Sequence, residues 1–235
     1  MDAIVEMKDV SKDYGQGDVI VHALQHVNIS LMPGDFAAMA GPSGSGKSTL
    51  LNIIGGMLKP THGNVVVGGK DITRMSNAAL SRLRRDRIGF VFQDYSLIPV
   101  LTAFENAEYV LMLQGSPRRR RRDKVLSILH EVGLDGLENR FPRQLSGGQQ
   151  QRVAIARAIA SEPALVLADE PTANVDSTTG GALMDLMRML NEQKGITFLF
   201  ATHNKDVMLR AKRLILLKDG AVTRDGVPGE TIDEA

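Results

Sequence analysis

The stretch GPSGSGKST, from Gly41 to Thr49, constrains the fold of this chain more than any other. Its spacing is Gly, four residues, then Gly-Lys-Ser, and it stands between the apolar run DFAAMA and the helix-like sequence STLLNIIGG. A glycine-rich turn in that position lets backbone N–H groups surround a phosphate, with Lys47 at the β- and γ-phosphates and the hydroxyl of Ser48 on Mg²⁺. The alternative is a plain glycine-rich turn with a solvated lysine.

Two carboxylates, Asp169 and Glu170, end the run LVLADE, in which Asp169 follows four apolar residues. Such a run is typical of a buried strand in a parallel sheet, and the carboxyl edge of that sheet is where these folds bind ligands. We therefore expect Asp169 to hold Mg²⁺ through water and Glu170 to polarise an attacking water. Without the phosphate loop, two acids that mark the end of a strand would be the preferred interpretation.

Two further polar residues follow apolar runs, Gln93 after IGFVF and His203 after ITFLFAT. In a parallel sheet both side chains would reach the same edge as Asp169. We expect Gln93 to touch the metal or its water, and His203 to contact the γ-phosphate or to orient Glu170. A lone Gln or His is more often an ordinary surface residue.

A second glycine turn opens the stretch LSGGQQQRVAIARA, from Leu145 to Ala158. Ser146 is a favoured N-cap, and the glycines after it leave backbone N–H groups pointing out along the helix axis, which is an arrangement that binds anions. Taken alone, an ordinary helix N-cap explains the stretch equally well.

Composition narrows the class of protein. The chain has 235 residues, of which 43% are hydrophobic, and no cysteine, so it can build one substantial core and fits a reducing compartment. A net charge of +1, 4% aromatic residues and no Trp give no reason to expect nucleic-acid binding. No apolar run approaches the ~20 residues that span a bilayer, and the start MDAIVEMKDV is expected to be a first strand and not a signal peptide. The basic run Arg118–Arg122 is expected to be a solvated face, and attraction to acidic lipid headgroups is the less favoured interpretation.

The pattern of elements predicts an α/β fold. Short strands fill the first third, interrupted by one helix that begins at Lys47, and strands return in ALVLADE and ITFLFATH with a helix between them, which implies a parallel sheet covered on both faces. Residues 94–161 have helical periodicity and no convincing strand, so we expect an inserted helical subdomain. The predicted single domain of residues 1–235 thus has a core of residues 1–93 and 162–222, the helical subdomain, and a polar tail at residues 223–235, in which the residues after Gly226 are expected to be frayed.

Tyr14 lies in the polar sequence SKDYGQGD, which we expect to be a turn. A tyrosine there would be explained by stacking on an adenine ring. The alternative is a half-buried tyrosine at the end of a strand.

These residues together resemble an ATP-binding-cassette (ABC) ATPase over about Ile4 to Gly220. GPSGSGKST is similar to its Walker A motif, Gln93 to its Q-loop, LSGGQ to its signature, LVLADE to its Walker B motif, NVD with Asp176 to its D-loop, and His203 to its switch histidine. The resemblance implies a RecA-like P-loop NTPase fold with a mostly parallel core, an N-terminal antiparallel β subdomain and the helical insertion. It also implies ATP and Mg²⁺ as ligands, and two copies paired head to tail around two shared ATP molecules.

The predicted residues fall into three groups. Those expected to bind ATP are Tyr14, Gly41, Pro42, Ser43, Gly44, Ser45, Gly46, Lys47, Ser48, Thr49, Ser146, Gly147, Gly148, Gln149 and Asp176. Those expected to act in hydrolysis are Glu170, His203, Lys47 and Gln93. Those expected at the metal are Ser48, Gln93 and Asp169.

Within the family, the chain is most similar to stand-alone ATPases of the lipoprotein-releasing and macrolide-export group, although Ala173, Val175 and Asn204 depart from its usual residues. The resemblance implies a separate membrane permease with few transmembrane helices, which would handle the substrate and be gripped by the Asp94–Asn106 region, and a peripheral location on the cytoplasmic face of the inner membrane. An ABC ATPase that acts on DNA or ribosomes is the alternative. It is disfavoured because only a compact helical segment separates the Walker A and signature motifs, and because the chain has one cassette. A nucleotide-binding regulator without turnover is also disfavoured, since the expected hydrolytic residues are all present.

Overall fold

The structure is a computed structural model that describes residues 2–16 and 19–231. The strands are β1 (Val5–Gln16), β2 (Val19–Leu31), β3 (Phe36–Ala40), β4 (His62–Val67), β5 (Lys70–Asp71), β6 (Ile88–Val91), β7 (Leu165–Asp169), β8 (Thr197–Thr202), β9 (Arg213–Lys218) and β10 (Ala221–Gly226). The α-helices are α1 (Lys47–Ile54), α2 (Asn77–Arg87), α3 (Ala103–Leu113), α4 (Arg118–Glu131), α5 (Gly147–Ile159), α6 (Ser177–Lys194), α7 (Lys205–Arg210) and α8 (Pro228–Thr231). None of the helices in these described ranges is long and apolar enough to cross a bilayer.

Two sheets organise the molecule. The larger has the strand order β10-β9-β3-β8-β7-β6, in which all neighbouring pairs from β9 to β6 are parallel and only β10 is antiparallel. The smaller, antiparallel sheet has the order β2-β1-β4-β5. This architecture confirms the predicted α/β class, with its parallel core and antiparallel β subdomain.

The central sheet is buried on both faces because its strands alternate between two apolar clusters. Phe36 and Phe200 belong to the cluster shared with the helical segment, and their rings make an edge-to-face contact with centroids 4.7 Å apart. Met39 and Leu199 point the other way, into the cluster shared with the β subdomain and α1. Two-sided burial fixes where each strand ends, and therefore where the polar residues that follow the strands are placed.

Residues 94–161, all of which are described, contain α3, α4 and α5 and no strand. Asn106 on α3 is fully buried and ties down the loop that precedes the helix. Its side chain accepts a hydrogen bond from the backbone of Ile98 at 2.8 Å and donates to the carbonyls of Leu101 and Thr102 at 3.0 and 2.9 Å. The path of the chain after Gln93 is thus set by a buried amide.

The expectation of a single helix in the first part of the chain is wrong, because α2 follows β5. Only Leu80 and Leu83 of this helix are buried, so its apolar periodicity is too weak to reveal it. Its signals are local: Ser76 accepts from the backbone N–H of Ala79, and arginines fill the last turn.

The predicted start of a polar tail at residue 223 is also wrong, and so is the expectation of fraying for the described residues after Gly226. Residues 223–226 complete β10, which pairs with β9, and α8 follows. Backbone pairing at a sheet edge does not require apolar side chains, and Arg213 adds a salt bridge to Asp225 at 2.6 Å. Residues 232–235 lie outside the described residues.

Candidate active site

The carboxyl ends of β6, β7 and β8 lie side by side in the central sheet, and the polar residues that follow them meet there. They open onto a cavity of about 490 Å³ at the glycine-rich loop. The lining residues are Ala23, Ser43, Gly44, Gly46, Lys47, Ser48, Thr49, Gln93, Asp169, Glu170 and His203. The structure therefore brings the predicted hydrolytic and metal-side residues together on one loop and three strand ends.

The glycine-rich loop connects β3 to α1, as predicted, and close packing explains two of its glycines. A Cβ at Gly41 would lie 2.0 Å from the carbonyl oxygen of Leu217, and one at Gly46 would lie 2.6 Å from that of Ala23. Both residues also have positive φ angles, 152° and 103°. The loop can pass between β9 and β2 only without side chains at these positions.

Lys47 is held by the loop itself. Its ammonium Nζ donates to the carbonyls of Gly41 at 2.8 Å and Pro42 at 3.0 Å. Burial lowers the pKa of this ammonium, and the carboxylates of Glu170 and Asp169 oppose that shift. A phosphate bound in the loop would place a compensating negative charge beside the partly buried ammonium.

Ser48 and Asp169 form the pair that fits Mg²⁺. The Ser48 hydroxyl lies 3.4 Å from Asp169 Oδ1, a long hydrogen bond, and burial raises the pKa of the Asp169 carboxyl, whose charge is poorly compensated. The described residues contain no cluster of three or more His, Cys, Asp or Glu side chains that could hold a metal. One carboxylate and one hydroxyl instead suit Mg²⁺, which completes its octahedron with water and substrate phosphates.

Residues at the end of β8 and just after it hold Glu170 in place by hydrogen bonds. Its backbone N–H donates to the Ala201 carbonyl at 2.9 Å, its own φ is 46°, and the residue lines the cavity. The carboxylate accepts from the Thr202 hydroxyl at 3.1 Å and from the His203 backbone N–H at 3.0 Å, and the His203 imidazole Nδ1 lies 2.6 Å away. A carboxylate held by several groups is suited to orient a water, and the contact with His203 fits the orienting role expected for the histidine.

The turn formed by the LSGGQ motif, which we call the signature turn, does not reach this cavity. Ser146 caps α5, accepting from the Gln149 N–H at 3.3 Å while the Gln149 side chain accepts from the Ser146 N–H at 2.9 Å. Ser146, Gly147, Gly148 and Gln149 are all described, and none of them lines the cavity. The N–H groups at the start of α5 face elsewhere.

Asp176 is likewise outside the cavity. It is the N-cap of α6, where its carboxylate accepts from the Thr179 N–H at 2.9 Å. Hydrogen bonds from Thr179 lower the pKa of this carboxyl.

Tyr14 lies in strand β1, so the expectation of a polar turn is wrong. It pairs with Val21 of β2, and the pairing of the two strands supplies the regularity that the polar sequence hides. The residue is 42% exposed and does not line the cavity, and Lys12 Nζ lies 5.1 Å from the centroid of its ring. Adenine stacking by Tyr14 stays a prediction.

Residues that the sequence did not single out surround the predicted ones. Thr202 is fully buried below Glu170, and Gln151 on α5 donates to the Pro171 carbonyl at 2.7 Å. Asn174 donates to the Gln93 carbonyl at 2.8 Å, and Tyr95 donates to the Asn174 carbonyl at 3.1 Å. The only sequence signal for these residues is that each lies near a motif, and that nearness does not show which groups their side chains contact.

Comparison with known proteins agrees with this geometry. A family model described as ABC transporter matches residues 24–173, more than half of the chain. The chain belongs to the ABC transporter family. As predicted from its motifs, it is a cassette that binds and hydrolyses ATP.

Named relatives support that assignment. The chain is 46% identical over 232 residues to the ABC transporter ATP-binding protein MJ0796 of Methanocaldococcus jannaschii, covering 94% of this chain and 96% of that protein. It is 42% identical over 222 residues to the macrolide export ATP-binding/permease protein MacB of Rhodospirillum rubrum, covering 94% of this chain but only 34% of MacB. A solved dimer of MJ0796 in a post-hydrolysis state, bound to ADP and Pi, superposes with a TM-score of 0.88 at 45% identity, covering 95% of this chain and 98% of that one. These relatives are transport proteins, which favours the transporter interpretation over action on DNA or ribosomes.

Proposed function

We propose that two copies of this ABC ATPase close head to tail around two ATP molecules and thereby drive a separate membrane permease. Each ATP would bind Lys47, Ser48 and the loop amides of one copy, with Mg²⁺ held by Ser48, Gln93 and Asp169. Glu170 would activate the attacking water. Loss of the γ-phosphate would remove a contact that favours the closed pair, so the equilibrium would shift toward the open one.

One observation carries this proposal: the signature turn has a capped helix start with available N–H groups, but it lies outside the cavity of its own chain. A helix N-terminus gains from an anion in front of it through its free N–H groups and its dipole. A second copy, turned head to tail, would place a γ-phosphate there and bring Asp176 to the same interface. Each site would then be incomplete without the partner.

The permease would dock in a groove beside the loop after Gln93. The groove has a volume of about 330 Å³ and is lined by side chains of α2, β6, α3 and α5. Its apolar residues include Phe90 and Phe92, whose rings stack 5.8 Å apart, and Met57 and Leu113, which are 45% and 52% exposed. An apolar groove of this kind fits a short amphipathic helix from a cytoplasmic loop.

The predicted Asp94–Asn106 contact region fits this place only in part. Ser96 lines the groove, and Val100 is 78% exposed at the surface. Leu97 instead packs against the core that the helical segment shares with the central sheet. We therefore assign docking to the groove and to the exposed residues of the region.

The permease would be of the lipoprotein-releasing or macrolide-export kind, with few transmembrane helices, and it would choose the substrate. The similarity to MacB over its ATP-binding third supports this. The chain itself would then be peripheral, on the cytoplasmic face of the inner membrane.

The test is to tag the Glu170→Gln chain in its native cell, solubilise membranes in MgATP, and identify co-purifying proteins by mass spectrometry. Removing the base while sparing the phosphate contacts should trap the closed pair on its permease. A permease with few transmembrane helices is the expected partner. Recovery of DNA or ribosomes without a membrane protein would contradict the proposal.

A matched pair of variants locates the docking surface. Leu113→Arg places a charge in the groove, whereas Leu126→Arg places the same charge on α4, at a residue that is 37% exposed and does not line the groove. The first should lose most of the co-purified permease and the second should keep it. Equal recovery with both variants would remove the groove from the proposal.

A further inference from the structure

The loop that follows Gln93 is fastened to Asn174 by two hydrogen bonds in opposite directions. The Asn174 side chain Nδ2 donates to the Gln93 carbonyl at 2.8 Å, and the Tyr95 hydroxyl donates to the Asn174 carbonyl at 3.1 Å. This pair of hydrogen bonds joins Gln93, which lines the cavity, to the segment that leads into Asp176.

The backbone of this loop adopts a conformation that it does not favour by itself. Tyr95 and Ser96 have φ angles of 61° and 45°, in the left-handed region that ordinary residues avoid. The guanidinium of Arg157, on α5, donates to the carbonyl of Tyr95 at 2.9 Å and also to that of Ser96. Such a conformation persists only where surrounding contacts over-determine it, and here they come from the signature helix.

The Tyr95 hydroxyl also occupies the space beside Gly147, the first residue of the signature helix. A Cβ at Gly147 would lie 2.7 Å from that hydroxyl oxygen and 3.3 Å from the Asn174 carbonyl oxygen. A methyl group at this position would therefore displace the Tyr95 hydroxyl of its own chain, whether or not a partner's phosphate is present. One phenol thus touches the start of α5 and the Asn174 segment at once.

We propose that Tyr95 is a positioning residue that couples the two ATP sites of the dimer. Its hydroxyl links the loop at Gln93, which belongs to the chain's own site, to Gly147, which serves the partner's site. A shift of Gln93 when ATP binds would then move the signature turn of the same chain. This inference rests on the proposed head-to-tail dimer and adds the route by which one site influences the other.

The experiment uses the full-length Glu170→Gln chain as parent and measures the MgATP concentration at which it dimerises, by light scattering. Tyr95→Phe removes only the hydroxyl, and we expect it to raise that concentration roughly three- to tenfold, the range for one lost hydrogen bond. The matched control is Tyr109→Phe, since the hydroxyl of Tyr109 makes no hydrogen bond among the described residues. In the hydrolysing chain, Tyr95→Phe should raise the KM for ATP more than it lowers kcat and should reduce the Hill coefficient.

A second variant pair separates positioning from general loss of stability. Gly147→Ala should dimerise poorly because its methyl group meets the Tyr95 hydroxyl. Gly147→Ala combined with Tyr95→Phe should dimerise better than Gly147→Ala alone, since the clashing oxygen is gone and the next contact is at 3.3 Å. Such a reversal requires the two residues to act on each other.

The outcomes distinguish this inference from the proposed dimer. Suppose that the parent dimerises with ATP, that Tyr95→Phe dimerises at the same MgATP concentration, and that Tyr95→Phe does not relieve the Gly147→Ala defect. These results together would overturn only the role of Tyr95. An equal shift in Tyr109→Phe would do the same. A parent that forms no ATP-dependent dimer would overturn the head-to-tail account together with the coupling.

Discussion

The imidazole Nδ1 of His203 lies 2.6 Å from Oε1 of Glu170. The carboxylate is also held by the His203 backbone and by the hydroxyl of Thr202, at 3.0 and 3.1 Å. Glu170 therefore keeps part of its support when the imidazole is removed. The pair explains how a residue after β8 would affect Glu170, the base that we propose after β7.

The His203→Ala variant should hydrolyse ATP about 10- to 100-fold more slowly, the range for a group that orients another, and should still bind ATP. Thr202→Val, which removes one hydroxyl and keeps the shape, should cost less. Steady-state kinetics with a separate binding measurement checks both. Turnover of His203→Ala at the parent rate would show that the imidazole does not position the base.

Asp169 gives a pH-dependent prediction. Burial raises the pKa of this carboxyl in the folded chain above its unfolded value of about 3.9, so its contribution to stability is fully present below that value and is lost as the pH rises through the folded pKa. Asp169→Asn removes the buried charge. The nucleotide-free variant should therefore unfold at a higher temperature than the parent at about pH 7.5, and the difference should shrink toward about pH 4.

Thermal unfolding with and without MgATP completes the Asp169 test. MgATP should stabilise the parent more than the Asn variant, because the lost carboxylate would hold the metal. A variant that unfolds at the parent's temperature at both pH values would show that burial of the Asp169 charge does not destabilise the folded chain.

The glycine-rich loop allows a comparison between two of its own glycines. Gly41→Ala would drive a Cβ to 2.0 Å from the Leu217 carbonyl oxygen, whereas a Cβ at Gly44, where φ is 81°, meets nothing within 4 Å. Gly41→Ala should lower the free energy of unfolding by about 3 kcal/mol or more, and Gly44→Ala by about 1 kcal/mol from backbone strain alone. Urea unfolding of both variants measures the difference, and equal losses would contradict the close packing against β9.

The sequence predicted a feature well where both the motif and the strand or helix beside it could be recognised. The loop at Lys47 was predictable because its glycine spacing stands between an apolar run and a helix-like sequence, and the strand ends at Asp169 and His203 were predictable because each follows a mostly apolar run. Helix α2 was not, since two buried leucines among charged residues give little periodicity, and Tyr14 looked like a turn residue because strand pairing was invisible. The contacts of Tyr95 depend on backbone angles and on an arginine far along the chain, which no local pattern encodes.

The most direct test of the head-to-tail dimer is the ATPase activity of mixed dimers. Lys47→Ala disables the phosphate loop of one chain and Ser146→Arg disables the signature of the other. If each site combines the loop of one copy with the signature of its partner, mixing these two inactive chains restores one intact site per mixed dimer. The matched control mixes a chain carrying both changes with the parent chain, and those mixed dimers should have no intact site.

We predict that the first mixture recovers hydrolysis that neither chain has alone, and that the control mixture loses more activity than dilution explains. The opposite pattern, with no recovery in the first mixture and one working site in the control dimers, would mean that loop and signature serve the same chain and would contradict the central claim.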